Sequence, residues 1–197
     1  MKTCKQNTSR LILASKSPRR REILAGMGIN FVVEAADIGD EERFFAENSN
    51  ICEAIIALAR AKNRPIAEKY PDLPVLSADT IVVIDGKVLG KPADREEARS
   101  ILKMLSGKTH SVFTAVNLVC KNLGIDEAVL EQTGVRFVEI CDEELEKYLD
   151  TANYLDKAGA YGIQEHGLYF VEKIDGCFSN VVGLPISATR KLLRKIT

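Results

Sequence analysis

Apolar positions along this chain follow two rhythms, short unbroken runs and helical spacing. Leu11 to Ala14 is a run that predicts a strand. A helix over 18–27 follows it, with Ser17 placed to cap, Pro18 at the first helical position and Gly28 as the stop. Phe31 to Ala36 reads as a second strand, and Asp37 to Glu42 as an acidic loop. From Asn50 onward Ile51, Ile55, Leu58, Ala59 and Lys62 share one helical face, and Pro65 is expected to end or kink that helix. Val75 to Ile84 is a long β-branched run interrupted at Ser77–Thr80, and Asp85-Gly86 predicts a two-residue hairpin back through Lys87–Leu89. Asp94 and Glu97 form a capping-box pattern before a helix over 95–105, which Gly107 stops. Two strands over 109–121 and 129–140 turn around Gly124, and Asp142 is expected to cap a helix over 143–150. A glycine-rich loop from Tyr154 to Gly167, a strand over 168–174 and a basic helix over 186–196 complete the chain. The order β-α-β-α-β-β-α-β-β-α-β-α predicts one mixed α/β sheet with helices on its faces.

Composition narrows the classes. The chain has 197 residues, 46% hydrophobic and 28% charged, with a net charge of −1. That is a globular balance, without the basic excess of a general nucleic-acid binder. No apolar run is long enough for a membrane span. The first ten residues are polar and resemble neither a signal peptide nor a transit peptide, so a cytoplasmic protein is expected, with 1–10 a flexible extension. The five cysteines have no C-x-x-C spacing and the two histidines cannot build a multi-histidine centre. Any metal would therefore be held by carboxylates and phosphate oxygens, which suits Mg²⁺ or Mn²⁺.

The candidate chemistry is concentrated in a few segments. Arg19, Arg20 and Arg21 crowd a helix N-terminus, where each cation opposes the dipole by about 0.3–1 kcal/mol. Three in succession point to a bound anion, and free N–H groups at that end suit phosphate. Asp79 is a lone carboxylate in an apolar strand, a position for a metal ligand or a general base. Lys91, fixed between Gly90 and Pro92, suits a triphosphate as a point charge. Gln164 follows a loop of small residues and offers donors and an acceptor to the edge of a base. Ser106-Gly-Lys-Thr109 is not a phosphate-binding P-loop, because it follows a helix and has Leu102 where the first glycine belongs.

Together these anchors resemble the Maf family of nucleotide pyrophosphatases. They are Ala14-Ser-x-Ser-Pro-Arg-Arg20, Ala78-Asp-Thr80, Gly90-Lys-Pro92, Leu105-Ser-Gly-Lys-Thr-His110, Asp156 to Gln164 and Val182-Gly-Leu-Pro-Ile186. The resemblance runs from Leu11 to about Leu193. It implies a single domain over 1–197, an elongated twisted mixed α/β sheet flanked by helices, with two lobes and a cleft like the inosine-triphosphate pyrophosphatases. It implies hydrolysis of a nucleoside triphosphate to monophosphate and pyrophosphate with a divalent metal cation. Ser-Pro-Arg-Arg, Ala-Asp-Thr and Tyr-Gly-Ile-Gln resemble the branch acting on dTTP and UTP, with modified uridine nucleotides left open. The alternatives are the same reaction on another base, or a non-catalytic nucleotide-binding regulator of cell division. By position, the resemblance makes Asp79 the proton acceptor. Arg19, Thr80 and Gln164 select the base, and Ser15, Arg20, Lys62 and Lys91 contact phosphates. The metal falls to Asp79 and Asp40, or to Glu41 with a one-residue shift. Expected partners are the nucleotide and a possible homodimer, with no nucleic acid and no membrane. Ala61 where the family has Glu, Pro65 in its helix and Glu165-His166 after Gln164 are departures from the family pattern.

Overall fold

The computed structural model describes residues 11–48, 50–164 and 166–196. The expected extension over 1–10, Cys4 and Glu165 lie outside them. The elements, in chain order, are β1 (Leu11–Leu13), α1 (Pro18–Gly26), β2 (Phe31–Val33), α2 (Arg43–Glu47), α3 (Ile51–Lys69), β3 (Val75–Ile84) and β4 (Lys87–Leu89), followed by α4 (Arg95–Leu105), β5 (Thr109–Cys120), β6 (Ile125–Phe137), α5 (Asp142–Thr151), β7 (Val171–Asp175), α6 (Phe178–Val182) and α7 (Ile186–Leu193). The strands form a seven-stranded sheet in the order β2-β1-β3-β5-β6-β7, with β4 paired to β3. Pairings of β1 with β2 and β3 are parallel, and those of β3 with β4 and β6 with β7 antiparallel, so the sheet is mixed as expected.

The chain divides into two compact units. The first takes the residues up to Asp79, Ala115–Leu130 and the C-terminal stretch from Ile186; the second takes Thr80–Thr114 and Glu131–Pro185. In the first unit α3 buries Ile55, Leu58, Ile66 and Ala67, and Ile66 and Ala67 join Ile12, Ala14 and Val75 in one cluster. Helix α3 runs through Pro65 instead of ending there. A mid-helix proline costs about 3 kcal/mol, but the residues around it hold the helix down. Asn63, fully buried, donates from Nδ2 to the carbonyls of Val75 (2.9 Å) and Asn117 (3.1 Å), while Ile66 and Ala67 pack in the core.

In the second unit the β3–β4 hairpin turns on Asp85 (φ 50°) and Gly86 (φ 76°), the pair of positive φ values that a type I′ turn requires. Asp94 caps α4 by accepting the Glu97 N–H at 2.8 Å, and Glu97 reaches back to the N–H of Ala93, one residue earlier than the pattern predicts. Asp142 is the first residue of α5 and not its cap; Cys141 takes that place. Helices α4 and α5 are tied by Arg95, which meets Glu146 at 2.7 Å and Asp150 at 2.8 Å. Two short helices, α2 and α6, are additional to the expected order; each has five residues, too few to show a periodic face. No helix among the described residues is long and apolar enough to cross a membrane.

Candidate active site

Strand β3 and helix α3 build the centre of the first unit. Alternation along a strand puts Ser77 and Asp79 on one face. There Ser77 Oγ donates to the Ala59 carbonyl of α3 at 2.7 Å, and one helical turn on, Lys62 Nζ meets Asp79 Oδ1. The same Nζ lies 2.8 Å from Glu41 Oε1, so one ammonium joins two carboxylates. Asp79 is 8% exposed, and Lys62 covers it.

Helix α1 supplies the second cation. Ser17 caps α1 by accepting the Arg20 N–H, and Ser15 Oγ accepts the Ser17 N–H at 3.3 Å. Arg20 folds inward. Its Nη1 donates to Ser15 Oγ at 3.0 Å and to the Ala78 carbonyl at 2.7 Å. Burial pushes this guanidinium below its ordinary value, while the charges of Asp79 and Glu41 pull it back up. Of the three arginines, Arg20 is buried, Arg19 half-buried and Arg21 exposed. The basic turn is thus one structural cation with two neighbours nearer the surface.

Ser15, Arg20, Lys62 and Asp79 therefore come together. Asp40 does not join them: it is exposed, and its Oδ1 accepts the Glu42 N–H at 2.9 Å. Glu41 is the loop carboxylate at Lys62. Sequence could not separate the two, because the loop's backbone direction decides which acid turns inward. The Ala78 carbonyl was missed as well, since main-chain acceptors carry no sequence signal.

The second unit holds the other predicted residues. Thr80 is half-buried, its Oγ1 2.9 Å from Thr114 Oγ1. Lys91 is exposed just after β4, and Gln164 is exposed in a turn. Their segments are stitched together where the Gly159 N–H donates to the Gly90 carbonyl at 3.0 Å. Gly159 has φ +70°, and a Cβ there would lie 2.8 Å from Val82 Cγ2, so this loop lies directly on β3 beside Val82. Strand alternation gives Val82 and Thr80 the same face. Tyr161 anchors the loop, its hydroxyl 2.8 Å from Nε2 of buried His110.

The donor set of two carboxylates is of a kind that suits a divalent cation completed by other oxygen ligands. No group of three or more His, Cys, Asp or Glu converges among the described residues. Asp79 and Glu41 already share one positive charge, that of Lys62. Mg²⁺ is commonly held by one or two carboxylates, with phosphate oxygens and water completing its shell, and these two carboxylates fit that pattern.

The chain matches the family described as Maf-like protein over residues 10–196. It is 47% identical over 184 residues to a dTTP/UTP pyrophosphatase of Symbiobacterium thermophilum, covering 93% of this chain and 92% of that one. The dTTP/UTP pyrophosphatase of Bacillus pumilus is 44% identical over 94% of this chain and 95% of its own length. That of Pyrococcus furiosus is 44% identical, over 93% and 94%. A match across nearly the whole length, with relatives this similar, makes the chain a member of the Maf-like protein family.

Proposed function

We propose that this chain is a nucleoside triphosphate pyrophosphatase acting on dTTP and UTP, releasing the monophosphate and pyrophosphate. The observation that carries the reading is the buried Asp79 carboxylate, joined through Lys62 to Glu41, with the Arg20 guanidinium bonded to the preceding peptide. A carboxylate with an ammonium bridging it to a second carboxylate is placed to take a proton, and the cations to meet phosphate. The names of the full-length relatives point the same way.

In this reading Asp79 accepts the proton of the water that attacks the α-phosphorus. Asp79 and Glu41 would hold a divalent cation, which neutralises charge on the triphosphate when bound. Lys62 exchanges its carboxylate partners for phosphate oxygens, and Lys91 and Arg20 stabilise the charge growing on the leaving pyrophosphate. Ser15 keeps Arg20 in place. Arg19, Thr80 and Gln164 read the base, selecting the edge that uracil and thymine share. A cytoplasmic location belongs to the same proposal, supported by the free thiols of Cys52, Cys120, Cys141 and Cys177.

The test is product analysis. Purified protein with UTP or dTTP and Mg²⁺ or Mn²⁺ should release pyrophosphate and the monophosphate. Orthophosphate as the sole inorganic product, or tight binding without turnover under every divalent cation, overturns the proposal.

A further inference from the structure

We infer that Tyr161 is a positioning residue for base selection: its hydroxyl, bonded to His110 on β5, fixes the start of the turn that carries Gln164. The inference goes one step beyond the proposed reading in which Gln164 meets the base, and rests on it.

Tyr161 Oη lies 2.8 Å from Nε2 of His110, and both side chains are buried. Burial lowers the imidazole pKa to about 4 and raises that of the phenol, so both partners are uncharged at neutral pH. The rings around the bond supply packing. His110, Phe137 and Tyr161 meet edge to face, with centroids 4.8 Å apart for each pair that includes Phe137 and 5.4 Å for the third. Ring contacts of this kind change slowly with a small slide, whereas a hydrogen bond weakens steeply with length and angle. Moving the tyrosine off its partner would leave a hydroxyl and an imidazole nitrogen unpaired in the interior, a penalty counted on both sides. The hydroxyl thus turns a tolerant contact into a single register.

The backbone on either side depends on such a hold. Ala160, just before Tyr161, has φ +60°, a conformation that a residue with a Cβ keeps only where its surroundings impose it. Its carbonyl accepts from Tyr148 Oη of α5 at 3.1 Å. After Tyr161 the chain turns at once. A Cβ on Gly167 would lie 2.7 Å from the Gly162 carbonyl oxygen, so the backbone at 167 lies directly on that at 162. Gln164 is exposed within this turn, and Ile163 beside it is buried. The turn leaves the fold at Tyr161 and rejoins it beside Gly162, and the direction in which it leaves is set at Tyr161.

The consequence falls on Gln164. Its amide offers donors and an acceptor, and both kinds must line up with one base edge. A small rotation at Tyr161, three residues upstream, misaligns them together. Loss of the hydroxyl therefore acts on base discrimination more than on rate.

The experiment compares kcat/KM for UTP and CTP in the wild type, Tyr161→Phe, Gln164→Ala and the double variant. Tyr161→Phe removes one oxygen and keeps the ring against Phe137. The UTP-to-CTP ratio should fall roughly 10-fold, through a raised KM for UTP more than a lowered kcat. The double variant should show the ratio of Gln164→Ala and no further fall, because Tyr161 acts through Gln164. His110→Leu removes the other half of the bond and should lower the ratio by a similar factor, which keeps the test open should Tyr161→Phe fold poorly. A ratio unchanged in Tyr161→Phe or in His110→Leu, while Gln164→Ala lowers it, overturns the inference alone. A further fall in the double variant does so too, since it gives Tyr161 a route that bypasses Gln164. A ratio unchanged in Gln164→Ala removes Gln164 from base reading and the inference with it.

Discussion

The guanidinium of Arg20 donates a 2.7 Å hydrogen bond to the carbonyl of Ala78, so a side chain of the first helix grips the peptide that leads into Asp79. Lysine at this position keeps the charge but lacks the rigid guanidinium that holds Nη1 against both Ser15 and Ala78. Arg20→Lys should lower kcat at least about 10-fold and destabilise the fold by roughly 1–3 kcal/mol, the cost of a lost buried bond. Steady-state kinetics with denaturant unfolding will read both. Wild-type kcat in this variant would show that the grip on Ala78 has no bearing on the reaction.

Asp79→Asn removes the charge with little change of shape. Lys62 retains Glu41 at 2.8 Å, so the ammonium keeps a partner. Turnover should drop about 10²–10⁴-fold, the usual share of a general base. UTP binding, followed by calorimetry, should persist. Retention of more than about a tenth of kcat would end the assignment of Asp79.

Base reading and phosphate binding should separate by variant. Gln164→Ala should narrow the gap between UTP and CTP more than it lowers the best rate, because a missing edge contact weakens discrimination first. Lys91→Ala should slow UTP, dTTP, CTP and GTP by similar factors. Equal losses across all four substrates for Gln164→Ala would return the glycine-rich loop to a structural role.

Much of this was legible in the residues. Asp85-Gly86 announced its hairpin because positive φ at both positions admits few residues. Asp79 announced itself as a lone charge in an apolar strand. The passage of α3 through Pro65 was not legible, since Asn63 finds its two carbonyl partners only across the fold. Glu41 and Asp40 are chemically alike, and a loop without periodicity gives no facing. The bond from Tyr161 to His110 joins residues 51 positions apart, beyond any local pattern.

Gly159→Ala tests the seat of the loop that leads to Gln164. The new Cβ would meet Val82 Cγ2 at 2.8 Å, in a backbone conformation (φ +70°) that side chains resist. A loss of about 1–3 kcal/mol is expected in urea unfolding. Combining it with Val82→Ala should recover part of that loss, giving a measurable coupling. Strict additivity would place the clash elsewhere.

His110 sets an acid limit. Burial lowers its pKa from 6.5 to about 4. Below pH 6.5 the unfolded chain takes up a proton that the folded chain refuses until near pH 4. The stability associated with neutral His110 is therefore whole above pH 6.5 and is lost as pH falls toward 4, by as much as about 3 kcal/mol. The Tm of the wild type should decline between pH 6.5 and 5, before most carboxylates titrate. His110→Gln should flatten that decline; an identical slope in both proteins removes His110 as its source.

Pro65 leaves one rung out of the α3 ladder, since it has no N–H to offer the carbonyl of Ala61. Lys62 follows Ala61 directly. The ammonium that spans Asp79 and Glu41 thus stands directly after the missing rung of α3, and Asn63 bolts the next residue to the sheet. The carbonyl that the helix leaves without its ladder donor is therefore the one immediately before the bridging lysine.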